Sequence, residues 1–189
     1  MRVKEMLEYN KQFVENKNYE QFLTTSIPNK KMVVFTCMES RLVELLPKAL
    51  NIQNGDAKMV KNAGAIIRKS YDSIIKSILV AIYNLQAEEV IVIGHHDCGM
   101  SCVDTHALKD KMKDAGIKDE TFKALDYSGV DFHQEFHGFE TVEESIAQSV
   151  DIIRNHPLLP SHILVHGLVI SPETGKADVV SLDKREVEK

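Results

Sequence analysis

No stretch of the chain approaches the roughly 18 to 20 consecutive apolar residues of a membrane span. The opening Met1-Arg2-Val3-Lys4-Glu5 is too charged for a secretion signal and lacks the apolar run that would follow one, so no membrane partner is expected. Basic clusters are missing from every element. With a formal net charge of -5 and a pI near 5.9, that argues against a nucleic-acid surface and leaves a small molecule as the expected partner. Cysteine is scarce: three in 189 residues, an odd number that does not suit a disulfide framework and does suit a reducing cytoplasm. Internal repeats and low-complexity tracts are absent too. What remains, 43% hydrophobic and 27% charged, is ordinary for a globular protein and long enough for one domain with a substantial core.

Two apolar runs end abruptly in residues that carry chemistry. Met32-Val33-Val34-Phe35-Thr36 runs into Cys37-Met38-Glu39-Ser40-Arg41, and Val90-Ile91-Val92-Ile93-Gly94 runs into His95-His96-Asp97-Cys98-Gly99-Met100. Buried parallel strands deliver polar groups at their carboxyl edge in this way. If both strands lie in one parallel sheet, Cys37, His95 and Cys98 converge as two thiolates and an imidazole. Three such ligands with a fourth position open suit a catalytic zinc, whereas structural zinc sites close all four. Spacing alone leaves an alternative, in which Cys37 is a buried strand-end thiol and His95 a turn histidine with satisfied hydrogen bonds. Asp97 either orients His95 or, the favoured reading, caps the following helix. His96 is a proton relay or a surface residue, and Cys102 is read as a free thiol.

Elsewhere the hydrophobic periodicity sets out an alternating α/β order. Met6, Leu7, Tyr9, Phe13, Val14, Tyr19, Phe22 and Leu23 recur at near-helical spacing, so residues 1–27 are read as an N-terminal helical arm. Leu42, Leu45, Leu46 and Leu50 predict a short helix interrupted by Pro47. Asn54-Gly55-Asp56 is a turn, Lys58-Met59-Val60 a short strand, and Lys61-Asn62-Ala63-Gly64-Ala65 a small-residue loop. Glycine there admits a close backbone approach to the site, although an ordinary strand-to-helix turn is the alternative. Ile74, Ile75, Ile78, Leu79, Ile82 and Leu85 form the stripe of a core-facing helix, completing a β-α-β crossover into the strand that begins at Val90.

Residues 101–140 are richer in charge and read as an insertion of short helices and loops. Its His133 and His137 lack a third ligand or an H-E-x-x-H pattern, and no metal is expected there. Thr141 and Glu144 make a capping box for a helix that Pro157 stops. His162 to Ile170 is the next strand, and Ser171-Pro172-Glu173-Thr174-Gly175 turns it into an antiparallel partner, Lys176 to Val180. The charged tail from Ser181 to Lys189 is expected to be solvated. The sum is a single α/β domain with a mainly parallel central sheet of four to five strands flanked by helices, and a hairpin strand at its C-terminal edge.

Cys37-Met38-Glu39-Ser40-Arg41-Leu42, Lys61-Asn62-Ala63-Gly64, Gly94-His95-His96-Asp97-Cys98-Gly99 and Val165-His166-Gly167 resemble, in that order, the motifs of the β-class carbonic anhydrases. The resemblance runs from about Met32 to Val180. It implies reversible hydration of CO2 to bicarbonate and a proton, with one zinc ion per chain on Cys37, His95 and Cys98. It further implies a catalytic pair at Glu39 and Arg41, a substrate pocket lined by Ala63 and Gly64, and a homodimer or higher homo-oligomer across which the N-terminal helix packs. The tryptophan-containing bicarbonate effector site of some family members cannot be built in the same way, because the chain has no tryptophan.

One position departs from the family pattern, which has aspartate where this chain has Glu39. The extra methylene adds about 1.5 Å of reach, enough either to put the carboxylate on zinc and close the site or to fold it back against Arg41. Activity that is reduced or pH-gated relative to an aspartate version is the expectation. Two alternatives accompany it: a zinc hydrolase of carbonyl sulfide or carbon disulfide, and a non-catalytic zinc-binding paralogue closed by Glu39.

Overall fold

Side chains of β1 (Met32–Cys37) alternate between two buried faces, and this alternation sets the layering of the protein. The computed structural model describes residues 2–186. In it β1 lies between β2 (Ala57–Asn62) and β3 (Glu89–His95) and runs parallel to both. Beyond β3, β4 (Leu164–Ile170) is again parallel, and β5 (Ala177–Ser181) closes the edge antiparallel. The sheet therefore has five strands in the order β2-β1-β3-β4-β5, within the four to five mainly parallel strands and C-terminal hairpin that the sequence predicts.

On one face Val33, Phe35, Val90, Val92 and Val165 meet the apolar stripes of α3 (Ser73–Leu85) and α7 (Val142–Arg154). On the other, Val34, Ile93 and Ile170 meet Leu42 and Leu46 of α2 (Leu42–Ala49). Helix α7 lies against strand glycines. A Cβ on Gly94 would stand 2.6 Å from Val142 Cγ2, and one on Gly167 2.9 Å from Ile146 Cγ2, so side chains there would push the helix off the sheet. The close fit leaves Ile146 fully buried, worth about 1.5–3 kcal/mol relative to exposure. Asp72 caps α3 by accepting from Ile75 N, and Thr141 caps α7 by accepting from Glu144 N, as its capping box predicted.

The arm is shorter than its periodicity suggested: α1 spans Arg2–Glu15, and a single 3-10 turn follows at Glu20–Phe22. Lys17, at φ +55°, breaks the helix between them. No residue of α1 is buried, and Val3, Met6, Leu7, Tyr9 and Val14 stand exposed. Within 101–140 lie α4 (Thr105–Asp114), α5 (Asp119–Tyr127) and α6 (Phe132–Phe136), gathered round the edge-to-face rings of Phe122 and Phe132. The end of the insertion packs back on its beginning at Gly138, whose missing Cβ makes room for the Met100 carbonyl.

Two boundaries are corrected. Strand β4 starts at Leu164, because Ile163 N is taken by the Pro160 carbonyl in a turn. The tail is not free at residues 181–185: Asp183 is buried and gripped by Arg185, which also donates to the Ser161 and Ile163 carbonyls. Residues 187–189 of the expected solvated tail lie outside the described residues. No helix among the described residues is long and apolar enough to cross a membrane.

Candidate metal centre

Neighbouring strands β1 and β3 end at the same edge of the sheet, which brings Cys37 beside His95. Asp97, in the left-handed region at φ +54°, then turns the chain back so that Cys98 returns to the same spot. The ligand atoms of Cys37, His95 and Cys98 all lie within 4.8 Å of one another, and all three residues are buried. His95 Nδ1 stands 2.7 Å from the His96 carbonyl oxygen, a contact that requires the proton on Nδ1. Nε2 is thereby left as a bare lone pair, buried with no hydrogen-bond partner.

Such an atom costs free energy unless a cation takes it. Cys37 Sγ and Cys98 Sγ are 3.9 Å apart. Two zinc–sulfur bonds of about 2.3 Å at a tetrahedral angle span about 3.8 Å, so the donor set fits zinc in both chemistry and spacing.

The two thiols titrate as a pair. Hydrogen bonding from Cys98 pulls the Cys37 thiol well below its ordinary range; burial opposes this, while His95 and the Gly64 N–H, 3.3 Å from Sγ, reinforce it. Cys98 is pushed up, first by that same bond and then by burial. A dication bound there would replace the proton between the two sulfurs. Burial lowers the His95 pKa, but the Cys37 sulfur and the His96 carbonyl outweigh it and raise the net value.

A family model described as carbonic anhydrase matches residues 32–177, which includes all three of these residues. The chain belongs to the β-carbonic anhydrase family. YtiB of Bacillus subtilis (strain 168), itself provisionally assigned as a carbonic anhydrase, is 51% identical over 176 residues, 93% of this chain and 94% of its own. The carbon disulfide hydrolase of Acidithiobacillus thiooxidans is 31% identical over 184 residues, 93% of this chain and 89% of its own. In fold, the crystal structure of β-carbonic anhydrase isoform I from Trichomonas vaginalis superposes with a TM-score of 0.85 at 31% identity, covering 96% of this chain and 98% of that one. Membership supports a carbonic anhydrase, a lyase, in a family of zinc enzymes.

Around Cys37, His95 and Cys98 the structure gathers the remaining predicted residues unevenly. Glu39 is turned back on Arg41: Oε2 accepts from Nη2 at 3.1 Å and Oε1 from the Arg41 backbone N–H at 3.1 Å, with Ser40 Oγ 3.4 Å away. Its carboxylate is not among the gathered ligand atoms. The Arg41 guanidinium holds the Glu39 carboxyl down to about 2, so it is an anion at any ordinary pH. Arg41 Nη2 also reaches the Asp97 carbonyl at 3.4 Å, bridging the two ligand-bearing turns. Gly64 abuts Cys37 and is buried, while Ala63 beside it is half-buried.

Asp97 has neither role foreseen for it. His95 is oriented by the His96 carbonyl, and the turn at Gly99–Cys102 begins without a side-chain cap. His96 and Cys102 are exposed, and His133 pairs with Thr105 Oγ1 at 2.6 Å. The sequence reading missed Asn62 and Ser149, which hold the loop around Gly64; a polar side chain closing a small-residue turn was the available signal.

Proposed function

We propose that this chain catalyses CO2 + H2O ⇌ HCO3⁻ + H⁺ with one zinc ion held by Cys37, His95 and Cys98. The observation that carries the reading is the bare, buried His95 Nε2 facing two thiol sulfurs 3.9 Å apart, with no fourth protein ligand gathered among the described residues. Bound there, zinc supplies a Lewis acid that makes water nucleophilic near neutral pH.

The chain's own residues do the rest. Arg41 neutralises and fixes the Glu39 carboxylate through a paired hydrogen bond. The lone pairs Arg41 leaves free on that carboxylate accept a hydrogen of the attacking water and aim its oxygen at carbon. Ala63 and Gly64 line the approach of CO2, a wall of backbone that a linear apolar molecule can pass. The Arg41 guanidinium holds the Glu39 carboxyl down to about 2, so it stays an anion across neutral pH and its own protonation supplies no gate there. The longer side chain fixes the carboxylate less tightly than an aspartate, which weakens turnover.

The exposed apolar row on α1 supports a homodimer or larger homo-oligomer, with the arm of residues 1–27 lying on a second copy and 101–140 an insertion of the same domain. Two buried thiols committed to a metal suit a reducing cytoplasm. A second reading, hydrolysis of carbon disulfide or carbonyl sulfide, has the identity to the Acidithiobacillus enzyme in its favour. Stopped-flow assays of zinc-loaded protein with CO2 and with the sulfur analogues, from pH 7 to 9, separate these readings. Turnover of CO2 is expected; turnover of the sulfur compounds alone moves the assignment to the second reading, and zinc-loaded protein inert to all three contradicts both.

A further inference from the structure

Asn62 sits beside Cys37 in the register of β2 and β1. The two segments stay tied past the strand ends, where Met38 N donates to the Asn62 carbonyl at 2.8 Å. From there the Asn62 side chain reaches over the next three residues. Its Nδ2 donates to the Ile66 carbonyl at 2.7 Å, and its Oδ1 accepts from Ile66 N at 3.1 Å. This closed ring holds Ala63, Gly64 and Ala65 in a turn with two successive left-handed residues, Gly64 at φ +81° and Ala65 at φ +54°.

An alanine rarely adopts that conformation, so the turn persists only because its surroundings over-determine it. Ser149 of α7 adds to the hold from the other side, its hydroxyl donating to the Ala65 carbonyl and accepting from Ile67 N, both at 3.2 Å. The product of this bracing is a single aimed group: the Gly64 N–H, 3.3 Å from Cys37 Sγ. Glycine suits the position twice over: its φ of +81° strains any other residue, and a Cβ would stand 2.9 Å from side-chain carbons of Ile66 and Met100, which would have to shift.

We infer that Asn62 is a positioning residue of the metal centre, whose carboxamide aims the Gly64 N–H at the Cys37 sulfur and so limits the electron density this thiolate gives to the metal. The inference rests on the metal reading proposed above. A thiolate that accepts an N–H hydrogen bond shares its lone pair, and partners just outside the ligands commonly set both metal affinity and ligand basicity. Two thiolates on one zinc cancel its formal charge. A donor on one of them restores part of the metal's pull on its remaining ligand.

The test uses protein loaded with cobalt(II) as an optical probe, together with zinc affinity measured by chelator competition. Asn62→Ala is expected to move the sulfur-to-cobalt charge-transfer band to longer wavelength, because an unshared sulfur lone pair is easier to oxidise. At neutral pH it should also weaken zinc binding, by about 10- to 100-fold, because the unbraced loop no longer presents the site and a sulfur without the N–H bond holds its proton more strongly against the metal. Asn62→Asp keeps the acceptor for Ile66 N but turns the donor to the Ile66 carbonyl into a carboxylate oxygen that repels it, so it too should release the loop and move band and affinity in the same direction as alanine. It carries the same test if the alanine variant does not fold. An Asn62 variant with the parent's band and the parent's affinity overturns the inference alone. A parent protein that takes up neither cobalt nor zinc overturns the metal reading, and this inference with it.

Discussion

Two buried polar centres stand at opposite ends of the sheet, and they are built on opposite terms. At the amino end Asp183 is satisfied within the fold: its carboxylate accepts from Val165 N at 3.3 Å and from the N, Nε and Nη2 of Arg185 at 3.2, 2.8 and 2.6 Å. At the carboxyl end His95 Nε2 is buried with no hydrogen bond of good geometry, and its neighbours are the Cys37 and Cys98 sulfurs, 3.9 Å apart. A polar group buried with its bonds complete holds a structure together. One buried with a lone pair exposed to other donors is stabilised only by something the chain does not contain.

That contrast can be broken from either end. The largest effect is expected from His95→Ala, which should leave metal content at background and cut CO2 hydration by about a thousandfold, since the metal's charge stabilisation is worth several kcal/mol. Its fold should survive, as read by circular dichroism. Asp183→Ala should do the reverse: lose about 1–3 kcal/mol of stability in urea unfolding, from stranded donors, while metal content and kcat stay within about twofold of the parent. Metal loss in the Asp183 variant, with stability unchanged, would invert the comparison.

Glu39→Asp sharpens the account at the site itself. A carboxylate set tighter on Arg41 should raise CO2 hydration, by up to about 100-fold if the present placement is off by about 1 Å. Activity equal to or below the parent's contradicts the weakened-pair reading. The smallest effect is in acid. Arg185 holds the Asp183 carboxyl well below the usual range, so its contribution to stability is complete above the unfolded value near 3.9 and fades as pH falls below it. The stability gap between parent and Asp183→Asn, measured by urea unfolding, should therefore stay constant from pH 7 to about 5 and close toward pH 2.

The carboxyl-edge centre was legible in the sequence and the amino-edge one was not, for a physical reason. Strands β1 and β3 are buried on both faces, so their apolar runs continue almost to their ends, which are marked by Thr36-Cys37 and by His95. Asp183 lies in a charged tail where nothing distinguishes an aspartate that folds back under the sheet from one in solvent. The Asn62 clamp left only a local signal, a polar side chain opening a small-residue turn, and no periodic one, because its hydrogen bonds run from one side chain to a backbone four residues on. Asp97 was misjudged because its left-handed backbone, and not its carboxylate, does the work of returning Cys98. The α1 helix was recognised by its apolar spacing but overextended, since Lys17 turns the chain where no glycine or proline announces it.

X-ray absorption at the zinc edge, on protein purified without added metal, tests the central claim most directly. The account predicts about one zinc per chain, with two sulfurs near 2.3 Å and one nitrogen near 2.0–2.1 Å, and loss of the nitrogen shell in His95→Ala. Zinc bound with equal occupancy and an unchanged shell in His95→Ala and Cys37→Ser, or no zinc in the parent after it is offered, would contradict it.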